Sequence, residues 1–488
     1  MRYTCVYPYG LLFLILAAVS LILFGPSLNG EFIMDDWGYI TQNAWVTQSP
    51  TPFGFWTTFK QTDYWPLSYT FYWIFYRLFG ESTFYYHLIN VLLHALNGVL
   101  VFVLARNWRI RWPIWVALLF VVHPLHVQTV SWIIQFKTLL STALALGCLI
   151  FYARYLNETR CRWLGLSLLT FTLAVLAKTS VVFLPLVMLG LSVSKPLMQK
   201  LRLTPFFVVS LLGGLATLKV NDLNFHDRQA QVFQMPWSER PLLMIQNLLF
   251  YVKSFFFPMD LAYMYPLRVP TIDVNGGWLL AAGILLLVFI MLYQVFPLRR
   301  DRRFYFYSYL VLLFPCLGLI AIPNMKLSLV ADHWAYLPDV FLALYVGSVV
   351  KTKDTRFYRA LLTVPLVLLA ILTFRHARTF ATEEAFWLRA RDLNPNHAAP
   401  AYNLGTVYGK KNRNEESIEQ YRRAVQLDSE HHRAWFNLGR AFYLTKEFEK
   451  SEECFMQAVL LNPGLIAGYL GLSKVYDTVG DRERSLQI

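Results

Sequence analysis

The sequence predicts an all-α protein in two parts: a polytopic helical membrane domain, followed by a domain of short helical repeats. Three observations support this prediction. The 488 residues are 56% apolar and 17% aromatic but only 15% charged, which is too apolar for a soluble domain. Apolar runs of roughly the 20 residues needed to cross a bilayer recur up to Thr373. Beyond that point the apolar density falls, and residue types recur at a spacing of 34.

The membrane domain is predicted to cross the bilayer about eleven times, beginning with a retained first segment. No small-residue cleavage site follows Leu23, so this segment does not have the pattern of a signal peptide. The run 242–257 is interpreted as an interfacial helix, because a crossing there would place the arginines of the next segment on the wrong side. The predicted crossings are 8–28, 85–105, 113–125, 138–155, 163–177, 180–194, 204–219, 277–296, 304–322, 334–350 and 358–374.

Basic residues predict the orientation of these segments. Lysines and arginines cluster in short loops, such as 106–111 and 299–303, and such loops are typically cytoplasmic. The loop containing Asp35, the turn 123–137, the stretch 324–333 and the C-terminal domain then share the non-cytoplasmic side. The formal net charge of +14 belongs to the membrane part, since acids and bases balance after His376, and nucleic acid is not indicated as a partner. The five cysteines show neither a disulfide framework nor metal-ligand spacing.

The C-terminal repeats have a recognisable pattern. The segment Trp435–Phe442, WFNLGRAF, follows the W-x2-L-G-x2-Y pattern of a tetratricopeptide helix pair. We therefore predict a membrane domain over 1–375 and a tetratricopeptide-repeat domain over 376–488. Such stacks present concave surfaces that bind extended peptides; the alternative is a scaffold that contacts only its own membrane domain. Two sets of positions carry the 34-residue spacing: Ala401, Trp435 and Tyr469, and Leu404, Leu438 and Leu472.

Polar residues recur along one helical face in the segment that begins at Tyr85. His87, Asn90, His94 and Asn97 follow one another at steps of three and four. Polar side chains within a span usually face the bundle interior or a wet cavity. The first three are therefore candidates for lining a cavity, and the alternative is hydrogen bonding between neighbouring helices.

A second polar set lies at the predicted non-cytoplasmic boundary. His123 and His126 are three residues apart, but Pro124 lies between them and no carboxylate adjoins them, so a metal-ligand pair is not favoured. Lys137 and Lys178 run against the bias of basic residues toward the cytoplasm. Cations there suit an anionic lipid headgroup such as a phosphate, and the alternative is snorkelling to the interface.

Two adjacent acids follow the first predicted crossing. Asp35 and Asp36 cannot point the same way, so one carboxylate would serve as a base while the other orients it or a substrate. The structural alternative is that Asp36 caps a helix starting at Trp37. The position at a membrane boundary, beside an aromatic-rich loop, favours a site.

Six segments and the repeats together resemble one known family. The chain resembles the transmembrane and tetratricopeptide-repeat family related to protein O-mannosyltransferases, including its bacterial members, over nearly its whole length. The resemblance implies a GT-C type glycosyltransferase with an acidic motif in its first outer loop, which Asp35 and Asp36 match. It implies a polyprenyl or dolichyl phosphate sugar as donor, with mannose favoured, and a protein hydroxyl as acceptor. The segments are FIMDDWGYI, YWPLSY, YYHLINVLLHALN, HPLHVQTVSWI, AKTSVVFLPL and DHWAYLP.

The chain departs from this family at positions expected to contact the donor phosphate. Trp65 precedes Pro66 where a basic residue is expected, and His333 follows Asp332 where an arginine is common. Phe136 and Thr138 also replace charged residues that flank the equivalent of Lys137 in relatives. Lys137 and Lys178 are therefore expected to carry more of the phosphate contact, with His123, His126 and His333 as further candidates.

The mechanism expected from these residues is an inverting transfer on the non-cytoplasmic side. Asp35 accepts the proton of the attacking hydroxyl, Asp36 helps to position the acceptor, and Lys137 and Lys178 stabilise the departing phosphate. No metal ligands are predicted, and the need for a divalent metal stays open, as does the choice between a bacterial inner membrane and an endoplasmic reticulum membrane. Two other hypotheses are a lipid or glycan transporter or flippase and a membrane-anchored tetratricopeptide scaffold.

Overall fold

A computed structural model describes residues 9–59, 61–224, 235–237, 239–265, 300–319, 325, 328–350 and 356–487. Within these residues the secondary structure is helical, with no strand, so the predicted all-α class is confirmed for them. The chain divides into two compact units, the first up to Ala381 apart from three residues, and the second from Thr382 onwards.

The first unit contains apolar helices of very unequal length. Short helices and 3₁₀ turns lie between the longer helices, where proline or a turn of the chain interrupts the apolar run. The helices are α1 Tyr9–Phe24, α2 Ala44–Thr47, α3 Gly54–Thr57, α4 Pro66–Phe79, α5 Thr83–Asn107, α6 Pro113–Val121, α7 Val127–Ser131, α8 Phe136–Glu158, α9 Cys161–Ala177, α10 Leu184–Leu191, α11 Leu197–Leu201, α12 Thr204–Asn224, α13 Arg240–Phe256, α14 Arg300–Leu313, α15 Tyr336–Val349 and α16 Arg356–Ala377.

Five helices of the described chain are long and apolar enough to cross a membrane, and the unit is that of a membrane protein. They cover Tyr9–Ser27, Thr83–Asn107, Ile133–Glu158, Leu197–Val220 and Leu362–Phe380. A sixth crossing is formed if Pro113–Val121 and Pro124–Ser131, bent by 51° at Pro124, count as one broken span. The total of eleven stays a prediction: three of the predicted segments correspond to shorter apolar helices, α14 covers only part of another, and 277–296 lies outside the described residues.

Small residues allow close packing around α5. A side chain on Gly98 would place its Cβ 2.5 Å from the Val121 side chain, so glycine is needed where α5 passes the end of α6. At Gly30, just after the first span, a Cβ would lie 2.9 Å from the carbonyl oxygen of Phe380 and 3.1 Å from Nε2 of His87. The loop leaving the first span is thereby packed beside the last turn of the first unit.

The second unit consists of paired helices, as the 34-residue spacing predicts. Ser417 and Ser451 are equivalent in successive repeats, and their hydroxyls donate to the carbonyl oxygens of Gly405 and Gly439 at 2.8 Å in both cases. Ser485 repeats the contact with Ser473 at 3.5 Å. The helices are α17 Glu383–Leu393, α18 Ala398–Lys410, α19 Asn414–Leu427, α20 His432–Leu444, α21 Phe448–Leu461, α22 Ile466–Val479 and α23 Arg482–Gln487.

Candidate active site

Asp35 and Asp36 lie in a short helical turn, and the structure gives the two neighbours different surroundings. Met34, directly before them, adopts a φ of 51°, in the left-handed region that residues with a Cβ seldom occupy. Such backbone strain is often retained at functional sites. The turn leaves the Asp35 side chain exposed, with no hydrogen bond to a described residue, and buries Asp36 completely.

Asp36 joins two loops through its carboxylate. Its Oδ2 accepts a hydrogen bond from the backbone N–H of Ile33 at 3.0 Å, and its Oδ1 accepts one from the N–H of Ile134 at 2.8 Å. Its side chain makes no capping hydrogen bond to the turn Trp37–Thr41, so the helix-cap alternative does not describe its contacts. With both oxygens occupied, Asp36 ties the loop of Asp35 to the start of α8 and thereby fixes the position of Asp35.

Lys137, in the first turn of α8, is brought close to the acids. It is 6% exposed, and no acceptor among the described residues lies within hydrogen-bonding distance of its Nζ. Its ammonium group lies 4.1 Å from the ring centroid of Trp65 and 4.8 Å from that of Tyr39. Aromatic faces attract a cation but do not satisfy its N–H donors. A buried ammonium group with unused donors has the chemistry of an anion-binding group.

Lys178 and His333 lie near Lys137. Lys178, 8% exposed, donates to the hydroxyl of Thr138 at 2.7 Å, and that hydroxyl donates to Oε1 of Gln135 at 2.6 Å. The backbone N–H of His333 donates to Oε1 of Gln128 at 3.0 Å. Burial lowers the pKa of His333 well below its usual value, and the two lysines lower it further, so this ring is neutral near neutral pH.

Asp63 is a site residue that the sequence analysis missed. Oδ2 of Asp63 accepts a hydrogen bond from the Tyr39 hydroxyl at 2.5 Å. Its carboxylate interacts electrostatically with Lys137, Lys178 and Asp35. An acid directly before the YWPLSY segment, within an aromatic loop, was the available signal. We call Asp35, Asp63, Lys137, Lys178 and His333 the carboxylate–lysine cluster.

The acids of this cluster resist ionisation. Protein surrounds Asp35 although part of its side chain reaches solvent, and the resulting loss of hydration raises its pKa. The positive charge of Lys137 opposes this shift, and the negative charge of Asp63 adds to it. Loss of hydration also raises the pKa of Asp63, against Lys137, the Tyr39 hydroxyl and Lys178. Asp35 thus loses its proton at a higher pH than an ordinary aspartate does, and its carboxylate is a correspondingly stronger base.

The structure does not bring His123 and His126, which were predicted as phosphate-binding residues, to this cluster. Nε2 of His123 donates to the Phe255 carbonyl at 2.9 Å, and Nδ1 accepts the N–H of Leu125. Nδ1 of His126 donates to the Phe120 carbonyl at 2.7 Å, and its Nε2 lies 3.4 Å from Oδ2 of Asp339. Both rings are fully buried, with their donors already used.

His94 belongs to the same group of buried residues. Its Nε2 lies 3.0 Å from the Val121 carbonyl, which can only accept, so Nδ1 accepts from the Tyr336 hydroxyl at 2.7 Å. Nδ2 of Asn97 donates to the same hydroxyl oxygen at 3.2 Å. We call His94, His126, Tyr336 and Asp339 the histidine cluster.

The cavity-lining candidates therefore have two kinds of surroundings. Nδ2 of Asn90 lies 3.2 to 3.3 Å from the carbonyl oxygens of Val130, Trp132 and Ile133, and His94 joins three helices. These contacts fit the alternative of hydrogen bonding between neighbouring segments. His87 is buried against Gly30, next to the loop that leads to the acids.

The second unit carries a separate candidate binding surface. An open cavity of about 560 Å³ is lined by residues of α18 to α22, most of them on α19, α20 and α22. Its walls combine aromatic rings with two cationic side chains, Arg440 and Lys474, and contain no acid. In the part of the chain that the structure describes, no group of three or more His, Cys, Asp or Glu side chains could hold a metal ion.

Comparison with known protein families identifies the repeats. The tetratricopeptide repeat family matches residues 402–464, which include α19 and α20 and the pattern around Trp435. The prediction of tetratricopeptide repeats in the C-terminal part is confirmed for this stretch.

Three proteins similar to this chain are named as protein O-mannosyl-transferases. The chain is 22% identical over 442 residues to the Caenorhabditis elegans protein O-mannosyl-transferase F38B6.6, covering 85% of this chain and 62% of that protein. It is 31% identical over 164 residues to the human protein O-mannosyl-transferase TMTC1, covering 30% of this chain and 18% of that protein. The mouse TMTC1 protein is 32% identical over 163 residues, 30% of this chain and 16% of that protein.

The chain thus spans less than two thirds of the length of each of these relatives. The similarity to the Caenorhabditis elegans protein covers 85% of this chain and therefore includes residues of both the helical membrane part and the C-terminal part. The comparisons confirm the predicted resemblance: the chain contains a tetratricopeptide-repeat stretch and is similar to proteins named as protein O-mannosyl-transferases.

Proposed function

We propose that this chain is a membrane glycosyltransferase that moves a sugar, with mannose favoured, from a polyprenyl or dolichyl phosphate to hydroxyl groups of a protein. One observation carries the proposal: the exposed carboxylate of Asp35 interacts electrostatically with the ammonium group of the buried Lys137, and neither group makes a hydrogen bond to a described residue. Transfer from a phosphate-linked sugar needs both groups, a base for the acceptor and a cation for the leaving phosphate. The names of the relatives agree with this reaction class.

The proposed reaction is a single displacement at the anomeric carbon. The acceptor oxygen forms a bond to this carbon while Asp35 takes the hydroxyl proton. The bond from the carbon to the phosphate oxygen breaks, and its electron pair stays on the phosphate, next to Lys137 and Lys178. The phosphate is a good leaving group without protonation, so no general acid is required. Attack opposite to the leaving group inverts the configuration of the sugar.

The structure leads us to change the role proposed for Asp36. Its two oxygens accept backbone hydrogen bonds from Ile33 and Ile134, so it positions Asp35 instead of contacting the acceptor. His123 and His126 have no part in the proposal, because their ring nitrogens face other protein groups. Asp63 joins the site through its interactions with Lys137 and Asp35.

We further propose that the tetratricopeptide repeats hold the acceptor polypeptide on the side of the membrane where Asp35 lies. The last described turn of the first unit, Arg378–Phe380, is packed beside the loop at Gly30 that leads to the acids. The second unit follows it in the chain. The cavity in the surface of the second unit has aromatic and cationic walls, which suit a peptide.

The test is transfer of labelled mannose from polyprenyl phosphate mannose to endogenous membrane proteins. The unmodified chain is compared with Asp35→Asn and with Asp260→Asn, an exposed acid of the same unit, at matched expression. We expect label on protein with the unmodified chain and with Asp260→Asn, and none with Asp35→Asn. Label that is absent with the unmodified chain, or equal in all three, would favour a transporter or a scaffold.

A further inference from the structure

The carboxylate–lysine cluster contains one more charged group than the proposed reaction uses. Lys137 faces the leaving phosphate and Asp35 faces the acceptor hydroxyl, but Asp63 has no role in that step. Asp63 interacts electrostatically with both of these groups and with Lys178. It is half-buried, so its carboxylate is neither enclosed in the core nor free in solvent.

The surroundings of Asp63 are aromatic. Tyr39, which donates to its Oδ2, is stacked on Trp65 with ring centroids 6.3 Å apart and on Tyr69 at 5.8 Å. Trp65 and Tyr39 are both partly exposed. The Tyr39 bond occupies one oxygen of the carboxylate and holds it in place. A second oxygen therefore remains as an acceptor beside a half-buried tryptophan ring.

The proposed positions of the phosphate and of the base Asp35 determine where the donor sugar would lie. The anomeric carbon must lie between the phosphate at Lys137 and the base Asp35 during transfer. The Lys137 ammonium group lies 4.1 Å from the ring centroid of Trp65 and 4.8 Å from that of Tyr39, whose hydroxyl bonds Asp63, so a sugar ring extending from this carbon comes near Asp63. Sugar hydroxyls are hydrogen-bond donors, and a carboxylate is the side chain that accepts only. The apolar face of a sugar ring suits an aromatic ring.

We propose that Asp63 and Trp65 form the subsite that binds the sugar of the lipid-linked donor, with Asp63 accepting hydrogen bonds from its hydroxyl groups. This inference rests on the proposed function. The competing role for Asp63 is that of a counter-ion for Lys137 and Lys178, which would act on the phosphate and not on the sugar.

Two ligands separate these roles. Binding of polyprenyl phosphate and of polyprenyl phosphate mannose is measured for the full-length chain in detergent or nanodiscs, and the ratio of the two affinities reports the sugar contact. Asp63→Asn keeps an oxygen that accepts from Tyr39 but replaces the other by an amide donor. We expect this variant to lose about tenfold or more of the preference for the sugar-bearing lipid, while the affinity for polyprenyl phosphate changes little.

Controls keep the test informative. Asp260→Asn is the matched exposed acid, and Trp65→Leu should reduce the same preference without removing a charge. An equal change of both affinities in Asp63→Asn would overturn the sugar subsite in favour of a counter-ion. An unmodified chain that binds neither lipid would overturn the proposed donor class itself, a result distinct from the loss of the sugar preference alone.

Discussion

The first unit contains two polar clusters that differ in how their polar atoms are satisfied. In the histidine cluster, His94 uses both ring nitrogens in hydrogen bonds and Tyr336 both donates and accepts, whereas Nε2 of His126 and the carboxylate of Asp339 approach each other at 3.4 Å without a hydrogen bond to any described residue. In the carboxylate–lysine cluster, Asp35 and Lys137 make no hydrogen bond to described residues. Burial of polar groups in a membrane protein is costly in both places. The contacts of His94 and Tyr336 recover part of that cost by joining helices, whereas Asp35 and Lys137 leave groups available to a ligand.

This difference distinguishes two roles for polar residues that look alike in the sequence: helix packing and ligand binding. Polar residues in or beside apolar segments made some members of each cluster candidates in the sequence: His94 and His126 in one, and Asp35, Lys137, Lys178 and His333 in the other. The hydrogen-bond partners then assign His94 to helix packing and leave Asp35 and Lys137 as candidates for chemistry. Four predictions test this division, and each changes a group of one cluster.

The largest effect is expected at Asp35. Asp35→Asn removes the proposed base while keeping the shape of the side chain, and we expect transfer to fall by about 10² to 10⁴-fold. The melting temperature of Asp35→Asn should equal that of the unmodified chain, because the Asp35 side chain makes no hydrogen bond to the described residues. The contrast is Asp36→Asn, whose amide would direct an N–H at a backbone N–H. That variant should lose roughly 1–3 kcal/mol of stability, seen as a lower melting temperature.

A smaller loss is expected at Lys137. Lys137→Met keeps the apolar stem but removes the ammonium group, and we expect inhibition by polyprenyl phosphate to weaken by roughly 10 to 100-fold, the loss of a charge-assisted hydrogen bond. Lys253→Met, at an exposed lysine of the same unit, is the control. Equal inhibition of Lys137→Met and Lys253→Met would show that Lys137 does not bind the phosphate.

The histidine cluster should affect stability and not transfer. Tyr336→Phe removes the hydroxyl between His94 and Asn97, leaving a buried ring nitrogen without its donor. We expect a loss of about 1–3 kcal/mol in the free energy of unfolding, with transfer per folded molecule unchanged within about twofold. Thermal unfolding and transfer rates at matched folded protein measure the two effects. A large loss of transfer at normal stability would place this cluster in the reaction.

The smallest effect is a shift with pH. The pKa of Asp35 is raised, so its proton is bound at a pH where an ordinary aspartate is ionised, and transfer should decline on acidification above the usual carboxyl range. Lys137 lowers the pKa of Asp35. Its removal should therefore raise this pKa and move the acid limb of the residual activity of Lys137→Met to higher pH. An acid limb at the same pH in both proteins would contradict the assignment of Asp35 as the titrating base.

The sequence supported the fold more firmly than the site. Periodic apolar runs and the spacing of 34 residues predict the helices and the repeats, because helical burial imposes its period on the chain locally. The pairs Asp35 with Lys137 and Asp63 with Tyr39 are different, since their members are separated by 102 and 24 residues. His123 and His126 show the limit, because their spacing to Pro124 and Lys137 could not reveal that they face Phe255 and Asp339.

The sequence by itself determined that this is an all-helical membrane protein with tetratricopeptide repeats and that acids follow its first crossing. These features are local and depend on composition and period alone. Only the tertiary structure decided that Asp36 is held by Ile33 and Ile134 while Asp35 stays accessible, and that Lys137, which interacts electrostatically with Asp35, finds no acceptor among the described residues. The physical reason is that hydrogen-bond satisfaction depends on which groups folding brings within about 3 Å of one another.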